Sequence, residues 1–317
     1  MSKVTKVLSL GGGLDSFAML LDAIDRNEIP DLVIFADVTD PQRLDPGEWP
    51  GTYEHLTKVV IPLCRRYGIE FKWLNTDESP IRGQRSLFRY FEHKQIMPTR
   101  MSRLCTSSAK VERIAQYVED RFDEIEMWIG FEAGEENRAA KDPHSKEKKS
   151  ACKRTNRFPL IERKLCRCRC EALVKRHGYP VPRKSACVYC PFGSRGDFQT
   201  LRDQLPEQFA RVEALEANCK RTKKGKRLTF GYLKGDDTDP CLREWVSKPY
   251  KPQRPVCKIC GERRVSKRTG CDWKTGGRLP TDLPPVKTPA AKPTILERAA
   301  GLVEDFLVAK LQRPQQG

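Results

Sequence analysis

The chain has 317 residues, 38% hydrophobic and 32% charged. That apolar content can fill one α/β core of about 200 residues with a smaller appendage. Lys and Arg number 59 against 42 Asp and Glu, a formal net charge of +17, which points to a polyanionic partner such as nucleic acid or a nucleotide. The plain alternative is a basic tail and solvated faces. No apolar run reaches the about 18 residues that a membrane-spanning helix needs. The start, MSKVTKVLSLGGG, has no apolar stretch of signal-peptide length, so a cytoplasmic location without membrane contact is expected. Thirteen cysteines in a reducing compartment argue for metal or redox chemistry over disulfides.

In chain order, residues 6–10 read as a short strand running into glycines. Residues 15–26 read as a helix, with Phe17, Leu20, Leu21 and Ile24 at helical spacing. Residues 31–38 (DLVIFADV) form the near-continuous apolar run of a buried parallel strand. A helix over 52–67, a strand over 70–74, helices over 86–92 and 107–120, and a strand over 124–130 follow. This alternation predicts an α/β fold, a doubly wound and mostly parallel sheet with helices on both faces. Beyond it, 132–155 reads as a polar mobile loop, and 162–177, 193–204 and 206–220 as helices. Residues 221–227 (RTKKGKR) form a basic loop, 276–294 a disordered linker, and 295–311 an amphipathic helix. The expected organisation is a nucleotide-binding domain at 1–155 and a helical Cys-bearing extension at 156–238. A small basic Cys-rich module at 239–275, the linker at 276–294 and a terminal helix at 295–317 complete it.

The first chemical motif is Gly11-Gly12-Gly13-Leu14-Asp15-Ser16, between the first strand and the first helix. Glycines let the backbone approach a phosphate. The helix N-terminus offers unpaired N–H groups and partial positive charge, and Ser16 adds a hydroxyl. Walker A and dinucleotide fingerprints are both absent. The simpler alternative is a glycine turn whose Asp15 only caps the helix.

GGGLDS resembles the SGGxDS signature of the PP-loop ATP pyrophosphatases, the adenine nucleotide α-hydrolases. That superfamily includes phosphoadenylylsulfate reductases, tRNA thiolation enzymes and DNA phosphorothioation sulfurtransferases. Gly11 stands where the family usually has Ser. Further matches run through about residue 216. Phe35-Ala36-Asp37 resembles the acidic end of the second strand. Arg103-Leu104-Cys105-Thr106 with Lys110 resembles the R-x-C-T-x-x-x-K segment of the reductase-like branch. Residues 130–138 (GFEAGEENR) resemble its G-x-x-x-x-E-x-x-R motif through Glu135 and Arg138. The resemblance implies a HUP-like, Rossmann-like fold that binds ATP and Mg²⁺. It implies that Gly11, Gly12, Gly13, Asp15 and Ser16 hold the pyrophosphate. Arg103, Lys110 and Arg138 are candidate cations for the triphosphate. Asp15, Asp37 and Glu135 are candidate oxygen ligands for Mg²⁺.

Cys187-Val-Tyr-Cys190 is a tight C-x-x-C loop, and Cys166, Cys168 and Cys170 precede it on an expected helix. There Cys166 and Cys170 share a face with Leu173 and Val174, and Cys168 points elsewhere. The resemblance suggests Cys105, Cys170, Cys187 and Cys190 as a four-thiolate set. Ligand count alone does not choose between a [4Fe–4S] cluster and Zn²⁺; the family leans to iron–sulfur. A second group, Cys257-Lys-Ile-Cys260-Gly with Cys241 and Cys271, reads as a zinc-knuckle half with an irregular partner half. Cys64, Cys152 and Cys219 are solitary, and the four histidines lack telling partners.

The expected activity is adenylylation of a substrate with release of pyrophosphate, in the service of sulfur transfer, with DNA or tRNA as candidate acceptor and a protein as candidate sulfur donor. One alternative is phosphoadenylylsulfate or adenylylsulfate reduction, against which stands the lack of an E-C-G-x-H nucleophile. Another is a non-catalytic nucleic-acid-binding accessory.

Overall fold

A computed structural model of the chain describes residues 4–99, 104–141, 152–220, 228–233, 238, 240–251 and 256–261. Five strands, β1 (Thr5–Ser9), β2 (Leu32–Ala36), β3 (Glu70–Leu74), β4 (Glu124–Ile129) and β5 (Lys153–Arg157), form one sheet in the order β3-β2-β1-β4-β5. Every pairing is parallel. Buried parallel strands need apolar side chains on both faces, which is why LVIFA of β2 is buried at all five positions. The strand order reverses direction between β1 and β4, and at such a point the loops beyond the strand ends part to leave a crevice.

Helices cover both faces. On one side α1 (Leu14–Asp25) buries Phe17, Met19, Leu20 and Leu21 against β1 and β2. The segment α2 (Pro50–His55), a π-helical stretch Leu56–Val60 and α3 (Ile61–Arg66) adds Leu56, Val59, Val60 and Leu63 to the same core. Each such side chain removed from water contributes about 1.5–3 kcal/mol. The opposite face packs Ile34, Val7 and Met127 against Ile114 and Val118 of α6 (Glu112–Glu119). Between these elements lie α4 (Leu87–Lys94), α5 (Leu104–Thr106) and a second π-helical stretch, Ser107–Val111.

The polar stretch expected to be a mobile loop over 132–155 runs at its end into a strand: β5 pairs with β4 in register from Glu124↔Lys153 to Trp128↔Arg157. KRTNR has no apolar alternation, because an edge strand exposes one flank and takes its order from backbone pairing. β5 also crosses the expected domain boundary between 155 and 156. Before it lies α7 (Glu136–Ala139), and beyond it come α8 (Pro159–Glu162), α9 (Arg167–Arg176), α10 (Arg195–Gln204) and α11 (Pro206–Ala217), then α12 (Phe230–Leu233) and α13 (Leu242–Ser247). The helix expected over 162–177 thus splits. Lys164 sits in the left-handed region with φ 53° and separates α8 from α9.

Helix α9 packs on α1, and its Cys170, Leu173 and Val174 enter the α1 core. Helices α10, α11 and α13 build a second core around Phe198, Leu201, Phe209, Val212 and Trp245, which reaches Phe88, Phe91 and Tyr189. No helix among the described residues is long and apolar enough to cross a membrane. The basic loop at 221–227, the linker, the terminal helix, Arg103 and Cys271 lie outside the described residues.

Candidate nucleotide and thiol site

The glycine loop leaves the C-terminal end of β1. The Leu10 N–H donates to the Ile34 carbonyl at 2.9 Å, holding the loop to β2. Gly12 has φ +75°, and a Cβ there would lie 2.7 Å from Thr52 Cγ2 and 3.4 Å from the Phe35 ring. Both conformation and space therefore demand glycine. The Gly11 N–H donates to Ser16 Oγ at 3.1 Å, and that hydroxyl donates to the Gly13 carbonyl at 3.3 Å. Gly13 is the N-cap of α1 and gives it no side-chain cap, so the partial positive charge of the helix N-terminus faces the loop. Gly130, at the end of β4, would place a Cβ 3.2 Å from Ser16 Cα. Loop and switch point are thus pressed together.

A second segment closes on this loop. A Cβ on Gly13 would meet the Ser185 amide nitrogen at 3.2 Å. The Ser185 hydroxyl donates to Glu48 Oε2 at 3.1 Å, and Lys110 Nζ donates to Glu48 Oε1 at 2.6 Å. The chain at 186–188 pairs with 47–49: the Trp49 N–H donates to the Ala186 carbonyl and the Val188 N–H to the Gly47 carbonyl. Lys110 lies in the π-helical stretch Ser107–Val111, a distortion that recurs at functional sites. Its side chain is 27% exposed and that of Glu48 fully buried. Burial works against the ammonium charge, but Glu48, Cys187 and Asp37 outweigh it and hold Lys110 protonated.

The three thiols of Cys105, Cys187 and Cys190 gather beside this ion pair. Burial, then Glu48, pushes the Cys187 thiol far up, with Cys190 and Cys105 adding to the rise. Burial, then Cys190, pushes Cys105 up to about 11. Buried thiols at Cys105 and Cys187, whose ionised form Lys110 favours, are suited to a cation-rich occupant such as an iron–sulfur cluster. Cys170, the fourth member of the expected set, is elsewhere. It is buried on α9, and it senses Asp15, Glu132 and Cys166. The reason is helical phase, since residue 170 shares the face of Leu173 and Val174 that packs on α1.

The remaining expected residues fall around the loop. Asp37, at the end of β2, accepts from the Val38 and Thr39 amides at 2.8 and 3.2 Å, from Tyr53 Oη at 3.0 Å and from Trp73 Nε1 at 3.0 Å. Burial still raises its pKa, against all four donors. Both oxygens being engaged, Asp37 acts as a junction of β2, β3 and α2. Its carbonyl accepts from Arg113, a buried guanidinium that also donates to the Ala109 and Asn75 carbonyls. Glu135 and Arg138 pair with each other at 3.0 Å, and Arg138 lies over the Phe131 ring at 4.3 Å. Asp15 accepts from Arg167 at 3.0 Å.

No family model and no curated protein matches the chain. Among solved structures it is similar to the U34-tRNA thiolase NcsA from Methanococcus maripaludis with its [4Fe-4S] cluster. The TM-score is 0.35 at 17% identity, over 84% of this chain and 78% of that chain.

The knuckle expected from Cys241, Cys257, Cys260 and Cys271 is drawn differently. Cys257 and Cys260 meet Cys166 and Cys168, and the four sulfurs lie within 4.8 Å of one another. Among the described residues no other group of three or more His, Cys, Asp or Glu side chains is drawn so close. Cys241 is exposed, capping α13. The expectation that Cys166 lies on a helix face fails because α9 starts one residue later: Cys166 is its extended N-cap, with φ −78° and ψ 167°. Cys64, Cys152 and Cys219 are buried single thiols.

Several residues of this site carried no signal in the sequence: Glu48, Ser185, Tyr53, Glu132 and Arg167. None belongs to a spaced motif, and each arrives through a long-range contact. A buried acid beside Trp49-Pro50 was the faintest available hint.

Proposed function

We propose that the chain is an ATP α-hydrolase of the PP-loop kind, which adenylylates a substrate oxygen and releases pyrophosphate so that sulfur can replace the activated oxygen. One observation carries the reading: the glycine loop adjoins, at Gly13 and Ser185, the segment that bears Cys187 and Cys190. A phosphate-gripping loop and a group of thiols at one crevice suit activation and sulfur delivery at a single centre.

In the reaction the acceptor oxygen attacks the α-phosphorus. A new phosphorus–oxygen bond forms, the bond to the bridging oxygen breaks, and pyrophosphate leaves. Glycine amides and the N-terminus of α1 oppose its growing negative charge. Mg²⁺, when bound, would neutralise phosphate charge, and Asp15 is the carboxylate at the loop that could hold it. Asp37 is too fully engaged for that role. Lys110 and Glu48 fix Ser185 and the backbone beneath the loop. Cys105, Cys187 and Cys190 would hold an iron–sulfur cluster, whose chemistry is to bind and hand over sulfur. The net charge of +17 favours a nucleic-acid acceptor.

The test is to incubate the anaerobically purified chain with α-labelled ATP, Mg²⁺ and pooled tRNA or DNA. AMP with stoichiometric pyrophosphate is expected. ADP formation, or pyrophosphate release undiminished in Gly12→Ala, would sink the proposal. Sulfite released from a sulfonucleotide in the same protein would favour the reductase reading.

A further inference from the structure

The thiols of Cys166, Cys168, Cys257 and Cys260 form a second centre, separate from Cys105, Cys187 and Cys190. Cys166 and Cys257 are buried, and Cys168 and Cys260 are half-buried around Ala133. The Cys257–Cys260 turn closes when the Gly261 N–H donates to the Cys257 carbonyl at 2.9 Å, with Gly261 at φ +74°. That left-handed glycine is what a compact C-x-x-C-G turn uses to aim both sulfurs the same way. Opposite it, extended Cys166 and helical Cys168 present their sulfurs from the start of α9.

The spacing selects the occupant. A tetrahedral ion with metal–sulfur bonds of about 2.3 Å needs sulfur–sulfur edges of about 3.8 Å. Four sulfurs within 4.8 Å of one another are close to that. A cubane cluster binds each thiolate through a different iron and needs a wider spread. Four soft, anionic donors in a tetrahedral group suit Zn²⁺ above hard cations.

The centre also touches the glycine loop. Arg167 lies between two of its cysteines. The Arg167 amide donates to the Glu132 carboxylate, and its guanidinium donates to Asp15 at 3.0 and 3.3 Å. Ile259, between the other two, would lie 3.7 Å from a Cβ on Gly134. We propose that Cys166, Cys168, Cys257 and Cys260 bind a single Zn²⁺ ion that clips residues 256–261 to the start of α9 and braces Arg167 against Asp15. The zinc is structural: four protein thiolates leave no open position for substrate. This assignment does not depend on the proposed reaction.

The full chain should be purified without chelator and assayed for zinc and iron by mass spectrometry of the elements. Wild type, Cys105→Ser and Cys241→Ser are expected to retain one zinc per chain, and Cys168→Ser and Cys260→Ser to lose it. Replacing zinc by Co²⁺ should give the intense visible and near-ultraviolet bands of tetrahedral cobalt thiolate, which reads the ligands without any mutation. Zinc absent from wild type, zinc lost in Cys105→Ser or Cys241→Ser, or a disulfide among the four cysteines would overturn the site. For the brace, amide exchange in peptides covering 10–20 and 130–140 should quicken several-fold in Cys260→Ser. Exchange across 56–66 should stay as in wild type. Unchanged exchange in the first two peptides, with zinc gone, would overturn the brace.

Discussion

Lys110 Nζ sits 2.6 Å from Glu48 Oε1, and the two residues reach that contact from 62 positions apart in the chain. The pair joins the π-helical turn of Lys110 to the segment that carries the thiols, because the other Glu48 oxygen accepts from Ser185. Around it the site is layered. Tyr53 takes the Glu48 amide and donates on to Asp37, so the end of β2 and the thiol segment share one polar chain.

Breaking that pair strands a largely buried ammonium. Glu48→Gln keeps the shape but loses the charge, and it is expected to destabilise the fold by about 3 kcal/mol. Urea denaturation reads this directly. The double variant Glu48→Gln/Lys110→Met should recover part of the loss, since a matched apolar replacement removes the unpaired charge. A double variant no more stable than Glu48→Gln would show that Lys110 is not what Glu48 supports.

Gly12→Ala places a side chain in a left-handed backbone and against Thr52. The conformation alone costs about 1–2 kcal/mol, and the displaced loop should cut pyrophosphate release tenfold or more. Gly68→Ala is the control. It is also left-handed, at φ +63°, but nothing lies within 4 Å of its Cβ position. It should lose stability without losing activity.

His55 is buried on the Phe17 ring, at 4.6 Å between centroids, and its Nε2 has no hydrogen-bond partner among the described residues. Burial lowers its pKa from 6.5 to about 4. The unfolded chain therefore takes up a proton that the folded chain refuses. This contribution to stability is complete above pH 6.5 and is lost as pH falls toward 4, by about 3 kcal/mol in all. Denaturation midpoints measured from pH 7.5 to 4 should fall along that limb, and His55→Leu should flatten it.

Anaerobic preparations should show visible absorption with iron and acid-labile sulfide. Cys105→Ala and Cys187→Ala are expected to abolish it. Cys170→Ala should keep it, because Cys170 faces the α1 core. A Cys170→Ala protein that is colourless yet folded by circular dichroism would return that cysteine to the cluster set.

The parallel α/β architecture was legible because its signals are local. Buried strands such as LVIFA are continuously apolar, α1 has a 3.6-residue stripe, and glycines followed by Asp15 and Ser16 mark a turn into a helix. β5 was not legible, since KRTNR owes its strand to pairing with β4 rather than to its own pattern. The thiols divided the same way. Cys187 and Cys190 announce themselves by spacing.

Sequence by itself determined that one parallel sheet would organise the chain, that a glycine turn would lead from its first strand into a helix, and that C-x-x-C pairs would stand at 187–190 and 257–260. Only the tertiary structure decided partnership: Cys257 and Cys260 with Cys166 and Cys168, Cys170 with the core, Glu48 with Lys110. Spacing constrains neighbours along the chain. Contacts between distant segments are set by how helices and loops pack on the sheet, and the break at Lys164 between α8 and α9 leaves Cys166 extended at the head of α9, facing the Cys257–Cys260 turn.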